Sequence, residues 1–297
     1  MRFLVFALLT AGLFWACESG TPQIQTTADG NRYLLYPEGS GEVAAEGEYI
    51  YFHVSLRTEG DSIMGSTRDN GGEAPAVQVA AADAPVPSPV EDIVRLMRAG
   101  DSVVIRQNIA EIPNKPPGME NDTVVLYTVQ AVEIVTEEQF AERKAAKDAE
   151  LEAARELVRA REEDRLAFAA EALEAYNAGT LENIQETETG LKYVIHEEGD
   201  GAEAEAGKGV AVQYIGQLVS NGNVFDQSFG RGEAIRFPLG QRAVIAGWDE
   251  GIDLLQVGDK ATFFIPAELG YGAQGTPDGS IPADSELAFY VELEEVQ

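Results

Sequence analysis

Cysteine is almost missing from this 297-residue sequence. Cys17 stands alone, so an internal disulfide or a metal site built on thiolates is excluded. Histidine is nearly as scarce. His53 and His196 lie far apart with no ligand spacing around them, so both read as ordinary strand residues, and no metal site is expected. Basic residues are also few. With 21 Lys and Arg against 51 Asp and Glu, the net charge of -30 leaves no basic stripe to neutralise phosphates and argues against a nucleic-acid partner. A surface this acidic suits a saline habitat or an ordinary acidic secreted protein.

Apolar runs are short. The run from Phe3 to Trp15 follows one positive charge and leads into Ala16-Cys17. It is too short for a comfortable membrane span and reads as a secretory signal over residues 1–16. The position of Cys17 resembles the bacterial lipobox, whose cysteine becomes the lipidated first residue, although Phe14 stands where Leu is usual. The expectation is an exported lipoprotein of the cell envelope, anchored to a membrane in the periplasm or at the outer membrane. A plain signal peptide containing a cysteine is the alternative. Residues 17–30 are polar, contain Gly and Pro, and suit a flexible tether.

Gly and Pro then vanish between Thr136 and Tyr176, where Ala, Glu, Arg, Lys and Leu dominate. One long helix is predicted. Thr136 and Gln139 form a capping-box pattern at its start, and Gly179 ends it. At 1.5 Å per residue it would extend roughly 60 Å. Its large apolar residues are too sparse for a sustained heptad seam, so residues 136–180 read as a solvated linker, with packing on a domain open for its C-terminal part. A dimer through this helix stays open.

On either side lie two segments of one pattern. "GEYIYFHVSLRTEGDSIMGST" from Gly47 can be laid without a gap on "KGVAVQYIGQLVSNGNVFDQS" from Lys208, and "EDIVRLMRAGD" parallels "DEGIDLLQVGD". The chain reads as an internal duplication, residues 31–135 and 181–297. Each copy reads strand, turn, strand, short helix, two strands, which predicts an α+β fold.

"GYGAQG", from Gly270, spells the glycine fingerprint of dinucleotide-binding folds, but the "TPDGSIP" that follows cannot open the helix this fingerprint needs. The tyrosine between its glycines has another explanation. "QYIG", "VFDQS", "IRFPLG", "AVIAGW", "GYG", "SIP" and "LAFYV", in order over residues 187–297, resemble the FKBP-type peptidyl-prolyl cis/trans isomerases, the macrolide-binding class. The resemblance implies a twisted antiparallel sheet around a short helix near Trp248 to Gln256, with an aromatic pocket between them. It places catalytic positions on Tyr214, Phe225, Asp226, Trp248, Tyr271 and Phe289, and substrate-binding positions on Arg231, Phe237, Val244, Ile245 and Ile281. Ile235 departs, standing where many members have an aromatic. No cofactor is implied. The implied partners are proline-containing unfolded or exported polypeptides, with macrolides as possible ligands.

The residue types suit the reaction. An X-Pro bond turns slowly because its C–N bond has partial double-bond character, and a dry aromatic pocket disfavours the charge-separated planar amide. The N-terminal copy has lost this set: the gap-free overlay puts His53, Met64 and Gly65 at the positions of Tyr214, Phe225 and Asp226, and the second parallel puts Val90 at that of Trp248. It reads as a degenerate copy that binds chains or acts as a spacer. The apolar stretch "APAVQVAAADAPVPSPV" is either a peptide-contact surface or a packed connection. A non-catalytic chaperone for unfolded extracytoplasmic clients is the alternative to an isomerase.

Overall fold

The structure is a computed structural model that describes residues 24–297 apart from 28, 29, 61, 70, 71, 82, 83, 85–87, 112, 114, 116 and 117. The signal segment and Cys17 lie outside the described residues. The chain divides into two compact units, Met1–Ala145 and Ala146–Gln297.

In the first unit the strands are β1 (Ile24–Thr26), β2 (Arg32–Tyr36), β3 (Tyr49–Thr58), β4 (Ile63–Ser66), β5 (Ala76–Gln78), β6 (Ser102–Asn108) and β7 (Val124–Val135). They form one antiparallel sheet in the order β1-β2-β6-β7-β3-β4, with β5 on β3. A short helix, α1 (Pro89–Val94), starts where the Ser88 hydroxyl accepts from the Glu91 N–H at 3.2 Å and Pro89 presets the first turn. Ile93, Val94 and Met97 seal the sheet face that carries Ile50, Phe52, Val103 and Val129. The apolar stretch before α1 contributes β5, which pairs with Tyr49–Tyr51.

In the second unit the strands are β8 (Gln185–Glu186), β9 (Lys192–Glu197), β10 (Gly209–Leu218), β11 (Val224–Gln227), β12 (Ile235–Pro238), β13 (Lys260–Ile265) and β14 (Leu287–Val296). Their order, β11-β10-β14-β13-β9-β8 with β12 on β10, repeats the first sheet strand for strand. The short helix here spans Ala246–Ile252, ending earlier than the sequence suggests.

The gap-free overlay of the two copies is off by one residue along the long central strand. Each sheet has a bulge there, between Tyr51 and Phe52 in one and between Ala211 and Val212 in the other. Counted from the bulge, Phe52 matches Val212, and Val54 rather than His53 matches Tyr214. His53 points to the opposite face. Because the strand period is two, a one-residue slip exchanges faces. The two copies come back into step at β4, where Met64 and Gly65 do match Phe225 and Asp226, because the first turn is one residue shorter.

The segment predicted as one helix forms two, α2 (Glu137–Arg159) and α3 (Glu162–Ala178), so the short helix over Ala246–Ile252 is α4. The capping box is present: Thr136 N–H donates to Gln139 at 3.0 Å and Gln139 N–H to Thr136 at 3.2 Å. Gly179 closes α3 at φ 69°. The break at Ala160 and Arg161 has no Gly or Pro behind it. Arg161 instead reaches Glu292 and Glu294 at 2.8 and 2.9 Å and lies over the Phe229 ring, so docking onto the second sheet overrides helix propensity. α2 buries none of its residues, while α3 buries Ala169, Ala172 and Leu173.

Candidate active site

A cavity of about 390 Å³ opens in the second unit. Trp248 of α4, 4% exposed, forms its floor. Tyr214 and Phe289 meet its ring edge to face at 5.1 and 5.2 Å, and Phe225 meets Phe289 the same way at 5.4 Å. Each such pair contributes about 0.5–1.5 kcal/mol beyond burial, so the walls are held in place before a ligand arrives. The indole N–H of Trp248 finds no acceptor among the described residues.

Gly216 makes the closure possible. A Cβ there would lie 2.7 Å from the Phe225 ring and 2.8 Å from Phe289. An isolated glycine within an apolar strand run signals such a close approach, and "QYIGQL" carried that signal unread.

One wall is tied down by charge. The Tyr214 hydroxyl donates to Asp226, and Arg231 donates to the same hydroxyl at 2.8 Å and to Asp226 at 2.7 Å. Burial and the Asp226 hydrogen bond push the Tyr214 hydroxyl up to about 12. Burial alone would raise the Asp226 carboxyl, but the hydrogen bonds from Tyr214 and Arg231 hold it below its ordinary value. Asp226 is therefore an ionised anchor for Tyr214, and Arg231 neutralises it.

Two further donors lack an acceptor. Ile245, at the N-cap of α4 with φ -63° and ψ 152°, accepts from the Trp248 and Asp249 N–H groups, but its own N–H has no acceptor among the described residues. Tyr271 is 39% exposed and its hydroxyl is likewise unbonded there. The loop after it is cross-braced: Thr276 N–H donates to the Ile281 carbonyl at 2.9 Å, and Ile281 N–H to the Thr276 hydroxyl at 3.0 Å. Gly275, at φ 63°, would place a Cβ 2.3 Å from the Ile281 carbonyl oxygen, so no other residue fits that turn.

Tyr214, Phe225, Asp226, Val244, Ile245, Trp248, Tyr271, Ile281 and Phe289 thus all line the cavity, together with Ile235. Phe237 does not; it is buried with its ring 5.8 Å from Trp248 and backs the floor. Arg231 acts through Tyr214 and Asp226. Sequence reasoning missed Ala243, Thr276 and Ser280 in the lining.

Residues 201–294 match the family model described as FKBP-type peptidyl-prolyl cis-trans isomerase. Over 120 residues the chain is 42% identical to peptidyl-prolyl cis-trans isomerase FPR2 of Saccharomyces cerevisiae, a match covering 40% of this chain and 86% of that protein. The chain belongs to the FKBP-type isomerase family. It is also 47% identical over 112 residues to the FKBP-type isomerase FkpA of Aeromonas hydrophila, covering 38% of this chain but only 40% of that protein. A solved structure, the crystal structure of AtFKBP13, aligns at 35% identity with a TM-score of 0.37, over 39% of this chain and 99% of that one.

The FKBP-type match stops short of the first unit, and the local packing differs there. Leu56 occupies the Gly216 position and packs with Ile109, Met119, Val125 and Tyr127. Val54 and Val90 stand for Tyr214 and Trp248, so the aromatic floor and wall are gone.

Proposed function

We propose that the second unit catalyses cis/trans isomerisation of X-Pro bonds, acting on proline-containing polypeptides that are still unfolded after export. The observation that carries this reading is the apolar cavity over Trp248 with the Ile245 N–H and the Tyr271 hydroxyl unbonded in its lining. The reaction makes and breaks no covalent bond. It must rotate a C–N bond through a barrier of about 18–20 kcal/mol. Twisting that bond removes the charge separation of the planar amide. A water-free aromatic pocket disfavours the planar form more than the twisted one, which lowers the barrier between them. The proline ring rests on Trp248 between Tyr214, Phe225 and Phe289, with Val244 and Ile281 at its sides. The Ile245 N–H and the Tyr271 hydroxyl take the flanking carbonyls in the twisted geometry. Asp226 and Arg231 position Tyr214.

Adding the full chain to a short X-Pro peptide should speed its cis-to-trans exchange, a macrolide should compete, and Trp248→Ala should lose both effects. Unchanged catalysis by a folded Trp248→Ala variant would sink the assignment. We also place the protein in the cell envelope, anchored through an acylated Cys17. Detergent partitioning that is lost in Cys17→Ala tests this, and a wild-type chain that stays in the aqueous phase contradicts it.

A further inference from the structure

In the second unit, α3 covers the sheet face turned away from α4. Its Ala169 joins Ile215, Phe229 and Tyr290 in one buried cluster, and Arg161 and Arg165 reach Glu292 at 2.8 and 2.5 Å. Counting from the shared bulge, Glu292 has the neutral Gln130 as its counterpart in the first unit. Phe229 belongs to a single 3-10 turn, Phe229–Arg231, in the loop between β11 and β12. The ring is fully buried, with the Arg161 guanidinium 5.5 Å above it, so the docked helix pair holds the turn that ends at Arg231.

Polar contacts fix the same loop at both ends of the turn. Glu162, the first residue of α3, accepts from the Gln227 side-chain amide at 2.6 Å, and the carbonyl of that amide accepts from the Gly230 N–H at 2.8 Å. Past the turn, Arg155 of α2 pairs with Glu233 at 3.0 Å. The approach is close enough to require glycine. Gly232 sits at φ 79°, and a Cβ there would lie 2.9 Å from the Arg155 carbonyl oxygen. A Cβ on Gly230 would lie 3.0 Å from the Glu162 carboxylate.

The other side of this loop faces the cavity. Arg231 donates to the Tyr214 hydroxyl and to Asp226, and Gln227 spans the two sides, its backbone N–H donating to Asp226 at 2.8 Å while its side chain donates to Glu162. The Arg231 and Asp226 side chains are 49% and 48% exposed, and an ion pair so open to water gains little when its own side chains must first be ordered. A turn held from behind removes much of that cost, because the guanidinium is already placed against Tyr214. A linker that only spaced two units would need none of these contacts.

We propose that Glu162 is a positioning residue for the isomerisation, acting through Gln227 and the Phe229–Arg231 turn to hold Arg231 against Tyr214 and Asp226. The inference rests on the isomerase reading. It is tested by kcat/KM of the full chain for a short X-Pro peptide, with circular dichroism to check folding. Glu162→Ala should lower kcat/KM at least about fivefold. Glu162→Gln, which keeps an acceptor for the Gln227 amide, should stay within about twofold of the wild type, as should Glu163→Ala, the same charge change at the exposed neighbour. In an Arg231→Ala background, Glu162→Ala should cost less than about twofold, because the two residues act along one path. If that background leaves too little activity to read, rescue by Glu162→Gln decides. Unchanged kcat/KM in Glu162→Ala, an equal loss in Glu162→Gln or Glu163→Ala, or a full additive loss in the Arg231→Ala background would each overturn the proposal while the wild type stays active. A wild-type chain without activity would overturn the isomerase reading and the proposal with it.

Discussion

Gly216 and Leu56 occupy the same place on the same strand of two sheets wound in the same order. Around Gly216, two phenyl rings close over a tryptophan and leave a cavity; around Leu56 stands an apolar cluster of Ile109, Met119, Val125 and Tyr127. The scaffold is indifferent to this choice. The cores beside α1 and α4 rest on other residues, Ile93 and Met97 in one and Ile252 and Leu255 in the other. Fold and site are therefore separable here: the sheet order survives the loss of the pocket.

The largest test of that comparison is to exchange the two residues. Gly216→Leu puts a side chain where even a Cβ crowds both rings, so X-Pro isomerisation should fall at least about 100-fold while overpacking costs about 1–3 kcal/mol of stability. Leu56→Gly should create no activity, because Val54 and Val90 still stand for Tyr214 and Trp248. Isomerisation measured on both full-length variants settles it, and activity gained by Leu56→Gly would show that the first unit lacks only space.

The next effect concerns the outer faces. Glu292 is 5% exposed and receives Arg161, Arg165 and the Tyr290 hydroxyl. Removing it takes the carboxylate from Arg165 and leaves Arg161 with Glu294 alone, both guanidinium groups being partly exposed, so Glu292→Ala should cost about 2 kcal/mol in urea unfolding of the second unit. Gln130→Glu, which copies that acid into the first unit, should change stability by less than about 0.5 kcal/mol. Equal effects would mean that α3 docks through its apolar residues alone.

A smaller effect is expected at the anchor of Tyr214. Asp226→Asn weakens a charged hydrogen bond and should lower isomerisation about tenfold. The sign of the pH dependence follows. The Asp226 carboxyl is depressed in the folded state, so its contribution is present above the ordinary aspartate value of 3.8 and fades as pH falls through the lower folded value. The Tyr214 hydroxyl is raised, so its contribution is complete below 10.0 and declines as pH climbs toward about 12. Stability of the wild type should be flat between those limits as far as these two groups decide it. The acid slope should shrink in Asp226→Asn.

The aromatic lining was legible because its residues sit in separated motifs whose order and spacing survive in a single chain. The register of the first copy was not. A β-bulge leaves no mark in the sequence, and the turn from Thr58 to Ile63 is one residue shorter than that from Leu218 to Val224, so a gap-free overlay absorbs the slip and puts His53 on the wrong face. The helix break was hidden for a different reason. Local propensity favours helix throughout residues 136–178, and only the acids waiting on β14 give Arg161 a reason to leave it. Phe237 was given a substrate-binding position because its motif fits; that it packs against Trp248 outside the cavity lining is a matter of packing that spacing does not encode.

The smallest difference lies where the two short helices begin. α1 is capped by the Ser88 hydroxyl, whereas α4 begins at Ile245, whose side chain can cap nothing. Ser88→Ala should cost about 1 kcal/mol in the unfolding of the first unit. Ile245→Ser should do the reverse, gaining up to about 1 kcal/mol for the second unit by satisfying an N–H of the first turn. It also replaces an apolar residue of the cavity lining by a polar one. A higher urea midpoint together with a raised KM for the X-Pro peptide would show that the uncapped helix start is kept for the ligand. A higher midpoint with KM unchanged would make the missing cap a neutral feature of the fold and shift the burden of positioning the flanking carbonyl onto Tyr271.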